Sequence, residues 1–209
     1  MDLKRPLPPA DLSSELRYPE GFDPAPDVEE WLRKSFIEDG GPLHNPDHSH
    51  LSLASIGILW TNAPNSKQMR GVAGTAEQPS IQGGKWLRAR MELQLAEWFG
   101  DVPDFLITLD AVYAAQVPDA TFCALVEHEL YHCAQRLDEF GSPRFTREGK
   151  PVLAIRGHDA EEFVGVVRRY GVGAAAGGVA ELVKAANEVP SVARAAISLA
   201  CGTCARVVV

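Results

Sequence analysis

Apolar residues along the chain fall into blocks whose spacing switches between the helical and the extended period. The strongest helical block covers residues 120–139, where Phe122, Leu125, Val126, Leu130, Cys133 and Leu137 recur every three or four positions behind Asp119, a candidate N-cap. A second spans 85–99, with Leu87, Met91, Leu95, Trp98 and Phe99 on one face and Gly100 at the stop. A third starts at Asp27, with Glu30 completing a capping box, and aligns Val28, Trp31, Leu32 and Phe36 before Gly40-Gly41-Pro42 ends it. A shorter helix is expected over 160–170, opened by Asp159 and Glu162 and closed by Gly171.

Extended segments are fewer. Ile56, Ile58 and Trp60 alternate with Gly57 and Leu59 inside 51–61, which reads as a buried strand, and Phe105–Leu109 is a short apolar run between two aspartates. Gln68–Thr75 is a further candidate. The pattern predicts an α+β fold in which a small twisted β-sheet, including 54–61 and 105–109, packs against the 120–139 helix, with extra helices at both ends. The Ile56–Trp60 strand is the expected sheet edge for adding an extended peptide. Residues 1–26 carry six prolines and read as an extended arm, 27–171 as the folded domain, and 172–209 as an Ala/Gly-rich helical tail.

Composition narrows the function classes. The 209 residues carry 20 basic and 28 acidic side chains, a net charge of −8, which argues against a nucleic-acid binder working by phosphate neutralisation. No run approaches the ~20 apolar residues of a membrane span. The N-terminal residues have no apolar core of a secretory signal, so a cytoplasmic setting is expected. Four cysteines do not make a disulfide framework; Cys201 and Cys204 read as free thiols and Cys133 as a core position.

The chemistry sits at His128-Glu129-Leu130-Tyr131-His132, an HExxH motif inside the strongest helical block. Residues four apart share a helix face, so both imidazoles can reach one tetrahedral Zn²⁺ at roughly 2.0–2.1 Å. Glu129 stands about 100° further round the helix, beside the metal, where it can take a proton from a zinc-activated water. Two helical ligands leave the set one short. The metzincin pattern is excluded, because Gln135 and Asp138 stand where it needs Gly and His. The candidates lie in residues 156–163: His158, just ahead of the short helix, is favoured as third ligand, with Glu161 and Glu162 as alternatives.

His-Glu-Leu-Tyr-His-Cys-Ala-Gln (128–135) followed by Gly-His-Asp-Ala-Glu-Glu-Phe (157–163) resembles the SprT-like zinc metallopeptidases. In that family an HExxH helix is followed by a Gly-His sequence opening a second helix, and the later His is the third zinc ligand; the resemblance carries that role to His158. The chain is still more similar to metallopeptidases encoded by phages and prophages. That likeness adds Asn-Pro-Asp-His-Ser-His-Leu (45–51), Ile-Gly-Ile-Leu-Trp-Thr-Asn (56–62) and Arg-Arg-Tyr-Gly (168–171), and spans about residues 44–171. The resemblance implies a zincin-like domain that cleaves a protein or peptide substrate with Zn²⁺ and Glu129, working in a bacterial host cell.

Weaker signals remain. Tyr170 and the Arg168/Arg169 pair could steady an oxyanion, although arginines in a last helical turn also complement the dipole. His44, His48 and His50 could form a second metal site or line the cleft, against a solvated loop as the plain alternative. Two rival functions stand beside peptide hydrolysis: a non-catalytic zinc-stabilised protein that binds a host protein, and a metal-dependent cell-wall amidase.

Overall fold

The computed structural model describes residues 4–67, 70–160, 167–168, 172, 178–193 and 195. Met1–Arg156 with Ala195–Val209 form one unit and Gly157–Arg194 another. The first unit runs β1 (Phe22–Pro24), α1 (Pro26–Leu32), a π-helical stretch (Arg33–Ile37), a 3-10 helix (Pro46–Leu53), β2 (Ile56–Thr61), β3 (Ser66–Lys67), β4 (Arg70–Gly71), β5 (Gly74–Glu77), α2 (Lys85–Phe99), β6 (Phe105–Asp110), α3 (Ala111–Gln116), α4 (Asp119–His132), β7 (Cys133–Gln135) and β8 (Leu153–Ile155). The second unit contains α5 (Gly178–Ala186).

The central sheet has the order β1-β2-β6-β5. β2 and β6 pair in parallel, with Ile58 opposite Ile107, while β1 and β5 flank them antiparallel. The α+β expectation is therefore met by a small mixed sheet. Both faces of β2 are covered, which is why its six residues read as a continuous apolar run. One face buries Ile56, Ile58, Trp60, Phe105, Ile107 and Leu109 against Phe122, Val126 and Leu130 of α4 and against Val28 and Leu32 of α1. Full burial of each such α4 side chain contributes about 1.5–3 kcal/mol. Trp60, Phe122, Trp31 and Phe36 make a chain of ring contacts at 5.6–5.9 Å beneath the helix. The other face is thinner: Leu95 of α2 meets Leu59 and Leu106, with Trp98 and Phe99 at the margin. Gly100, at φ +84°, ends α2 in the left-handed conformation that glycine adopts without strain.

Several expectations are corrected. β2 lies inside the sheet, and the edge near α4 is β5, so the Ile56–Trp60 strand is not an edge. Of the extended stretch expected at 68–75, Arg70–Gly71 form β4, paired antiparallel with β3, and Gly74 and Thr75 open β5, while residues 68 and 69 lie outside the described ones. α1 begins two residues earlier than its capping box implied: Ala25 is the N-cap, its carbonyl accepts from Val28 and Glu29, and Pro26 occupies the first helical position at no cost in hydrogen bonds. Pro118, not Asp119, caps α4. α4 also stops at His132 instead of running on to Leu137, because residues 133–135 pair antiparallel with 153–155.

The Pro-rich segment is tied down at two points. Arg5 inserts a guanidinium that is 2% exposed between α3 and α4, donating to the carbonyls of Ala114 (2.7 Å) and Val117 (2.9 Å) and to Asp119 (3.0 Å), 4.4 Å over the Phe122 ring. Arg17 forms a two-bond fork with Asp110, the residue that also caps α3 through Tyr113.

Candidate metal centre

α4 carries the motif residues on a helix whose opposite side is locked into the core by Phe122, Val126 and Leu130. That packing fixes the rotation of the helix, and the four-residue spacing then stacks His128 over His132. Their Nε2 atoms stand 3.2 Å apart, with ring centroids at 4.9 Å. Two donors on a tetrahedral Zn²⁺ with arms of 2.0–2.1 Å would be separated by about 3.3–3.4 Å. The spacing fits one divalent cation shared by both rings.

Backbone chemistry sets the state of His132. Its Nδ1 lies 2.6 Å from the carbonyl oxygen of Arg156. A carbonyl only accepts, so Nδ1 carries the proton, and it is Nε2 that faces His128. The Arg156 N–H returns to the His132 carbonyl at 3.0 Å, making a two-bond clamp on this residue. The clamp exists because α4 ends where it does. The chain leaves His132 directly into β7, and β8, with Ile155 opposite Cys133, delivers Arg156 beside the ligand.

Glu129, one position after His128, is fully buried and faces the sheet edge. β5 passes so near that a β-carbon on Gly74 would fall 2.9 Å from Glu129 Oε1 and 3.1 Å from Leu125 Cδ1. Cys123 near the start of α4 and Cys133 at its C-cap are both buried, which pushes the Cys123 thiol up to about 11 and raises Cys133 further.

The upstream histidines do not assemble into a second metal site among the described residues. His44 approaches Asp39 at 3.3 Å. His48 is 1% exposed, packs edge-on against Tyr131 at 4.7 Å, and sets its Nε2 3.9 Å from Glu127 Oε1. Burial pushes its imidazole down to about 4, with His50 adding to the shift, so at neutral pH this approach involves a neutral ring and is not an ion pair. His50 Nε2 lies 2.7 Å from the Cys133 carbonyl. The stretch expected as a solvated loop is a 3-10 helix seated on α4.

His158 belongs to the second unit, two residues after Arg156. Among the described residues, His128, His132 and His158 are the group of three metal-ligating side chains that could hold an ion. Glu161, Glu162, Arg169 and Tyr170 lie outside the described residues, as does most of the expected 160–170 helix. Two contributors were not anticipated. Arg156 acts through its main chain, which has no residue signature. Gly74 did have a signal, since a glycine within a strand marks a close approach.

A sheet-backed helix presents two imidazoles four residues apart with a buried glutamate between them, the arrangement of an HExxH motif whose histidines could hold a metal. The chain belongs to the family described as "Putative phage metallopeptidase", whose model matches residues 29–187. That membership bears out the resemblance to the phage group; kinship with the SprT-like enzymes rests on the two motifs alone. It implies a metal and a protein or peptide substrate. No curated protein and no solved structure matches the chain. No described helix is long and apolar enough to cross a membrane.

Proposed function

We propose that the protein is a zinc-dependent peptidase in which His128, His132 and His158 hold the metal and Glu129 is the general base. The observation that carries this reading is the His132 ring, protonated at Nδ1 by its bond to Arg156 and offering Nε2 3.2 Å from its partner Nε2 on His128. A single Zn²⁺ there would supply a Lewis acid that lowers the pKa of water toward ~7 and polarises a carbonyl. Chain reach supports His158 as the third ligand: two residues span at most about 7 Å, and Arg156 is already bonded to His132. Glu161 and Glu162 are the alternatives.

Glu129 takes the proton of the attacking water on one carboxylate oxygen and hands it to the leaving amine nitrogen. Its burial keeps bulk water from competing for that carboxylate. The substrate adds as an extended strand along β5, the sheet edge beside Glu129, where main-chain bonds hold it in register. Arg169 and Tyr170 are the candidates to steady the developing oxyanion.

The test combines metal analysis with host-lysate proteomics. Purified protein is expected to contain about one zinc per chain, which His158→Ala loses while Glu161→Ala and Glu162→Ala keep it. Glu129→Gln keeps the metal and generates none of the new peptide termini that the wild type produces. Equal cleavage by both forms rules out the mechanism; zinc lost from a glutamate variant but kept in His158→Ala moves the third ligand.

A further inference from the structure

The segment Asn45–His50 closes onto α4 through residues that flank the proposed ligands. Asn45 Oδ1 caps the 3-10 helix through the Asp47 N–H at 3.1 Å, and its Nδ2 donates to Glu127 (3.0 Å) and to the Tyr131 hydroxyl (2.9 Å). That hydroxyl donates in turn to Asp47 at 3.0 Å. Glu127 and Tyr131 each precede a motif histidine by one residue, so these bonds pin the strip of helix beside the ligand strip. His50 acts at the helix end. A carbonyl only accepts, so the 2.7 Å contact to Cys133 O is a bond donated by His50 Nε2–H.

Cys133 is the C-cap of α4, and the last carbonyls of a helix need partners from outside it. Two are supplied across long sequence separations: Arg156 N–H serves His132 and His50 serves Cys133. Without the second, the Cys133 carbonyl would be left at a buried residue, and another helical turn would become the competitive way to satisfy the backbone. That extra turn would carry residues 133–135 out of their pairing with 153–155 and Arg156 away from His132.

We propose that His50 is a positioning residue of the metal centre: by holding the Cys133 carbonyl it ends α4 at His132 and keeps the Arg156 carbonyl on His132 Nδ1. This rests on the reading of His128 and His132 as metal ligands. The structure assigns His50 an effect on metal affinity beyond its effect on fold stability, since what it controls is the orientation and tautomer of one donor.

The experiment titrates metal-free full-length protein with Zn²⁺ and Co²⁺ in competition with a chromophoric chelator. His50→Leu weakens both metals by about 10–100-fold, the range for loss of a bond that orients a ligand. His50→Asn, whose amide is too short to span the gap, behaves alike. His50→Gln, which can still donate to the carbonyl, stays within about threefold of wild type. Leu95→Ala, a destabilised control on the far face of the sheet, keeps wild-type affinity. Should His50→Leu fail to fold, the Asn and Gln variants decide the matter. Unchanged affinity in His50→Asn, or an equal loss in Leu95→Ala, overturns the inference while leaving the metal centre standing. Wild type that binds neither metal overturns the metal centre itself, and this inference with it.

Discussion

Gly74 and Glu129 meet across the gap between the sheet edge and α4 so closely that a methyl group on the glycine would sit 2.9 Å from the carboxylate oxygen and 3.1 Å from the glutamate Cγ. The strand that borders the site and the residue proposed as its base are therefore one mechanical unit. The carboxylate tip can swing aside, but Leu125 Cδ1 at 3.1 Å narrows the room to do so. Gly74→Ala is expected to keep its fold and zinc while losing about 10–100-fold in peptide hydrolysis, through displacement of the carboxylate. Metal content and kcat/KM measured on the same preparation check this; an alanine variant as fast as wild type would show that the contact carries no catalytic weight.

Metal removal should register in stability as well as in activity. A ligand that binds only the folded chain stabilises it by about 4 kcal/mol at a thousand times its Kd. Thermal unfolding is expected to drop on chelation and to recover on adding Zn²⁺, and to ignore both treatments in His132→Ala. A wild-type midpoint indifferent to chelator would count against a bound metal in the native state.

His48 makes acid stability informative. Its folded pKa, pushed down to about 4 by burial, lies below the unfolded value of 6.5. Above pH 6.5 the ring is neutral in both states. Between 6.5 and 4 the unfolded chain takes up a proton that the folded one refuses, so stability falls with falling pH by at most about 3 kcal/mol. Below 4 the loss is complete. In metal-free protein, His48→Phe keeps an aromatic ring against Tyr131 and should flatten the denaturation midpoint over that window relative to wild type. Parallel curves would place the acid sensitivity elsewhere.

Arg5 tests the N-terminal segment. The Asp119 carboxylate is half-exposed, so the ion pair itself is worth little; the two carbonyl bonds and the Phe122 ring carry the interaction. Arg5→Ala should cost about 2–3 kcal/mol in urea denaturation. Arg5→Lys should recover only part of it, because an ammonium cannot serve two carbonyls and a ring face in one plane. No measurable loss would mean the segment is only loosely seated in solution.

How far the sequence revealed all this depended on the range of the interaction. α2, from Lys85 to its left-handed Gly100, and the buried β2 and β6 were legible because periodicity and a terminal glycine are local signals. The pairing of His128 with His132 was legible for the same reason, since helix geometry alone stacks them. The end of α4 was not. Leu137 continues the apolar rhythm, yet it bridges Pro143 and the residues just ahead of it, 133–135, pair with 153–155, while the carbonyls of His132 and Cys133 find donors at positions 156 and 50. Sheet order was hidden too, because a strand buried on both faces reads alike whether or not another strand lies beside it. Asn45 and Asp47 looked like loop residues, which their composition favours; their partners on α4 lie more than 80 positions away.

The excursion that returns the chain to Arg156 is bonded at its base, 133–135 against 153–155 and Arg136 to Val152, and further out, where Arg144 bonds both Arg136 and Val152 and Asp138 bonds Ser142. Its outer reach is solvent-facing, with a tight turn from Thr146 to Gly149. The turn closes on itself, Gly149 N–H on the Thr146 carbonyl and Thr146 N–H on the Lys150 carbonyl, and neither bond reaches 133–135 or 153–155. A fluorophore, an affinity handle or a grafted recognition loop spliced between Arg147 and Glu148 would lengthen the arm without pulling on the histidine it steadies, which makes this the natural attachment point for capturing the protein's targets.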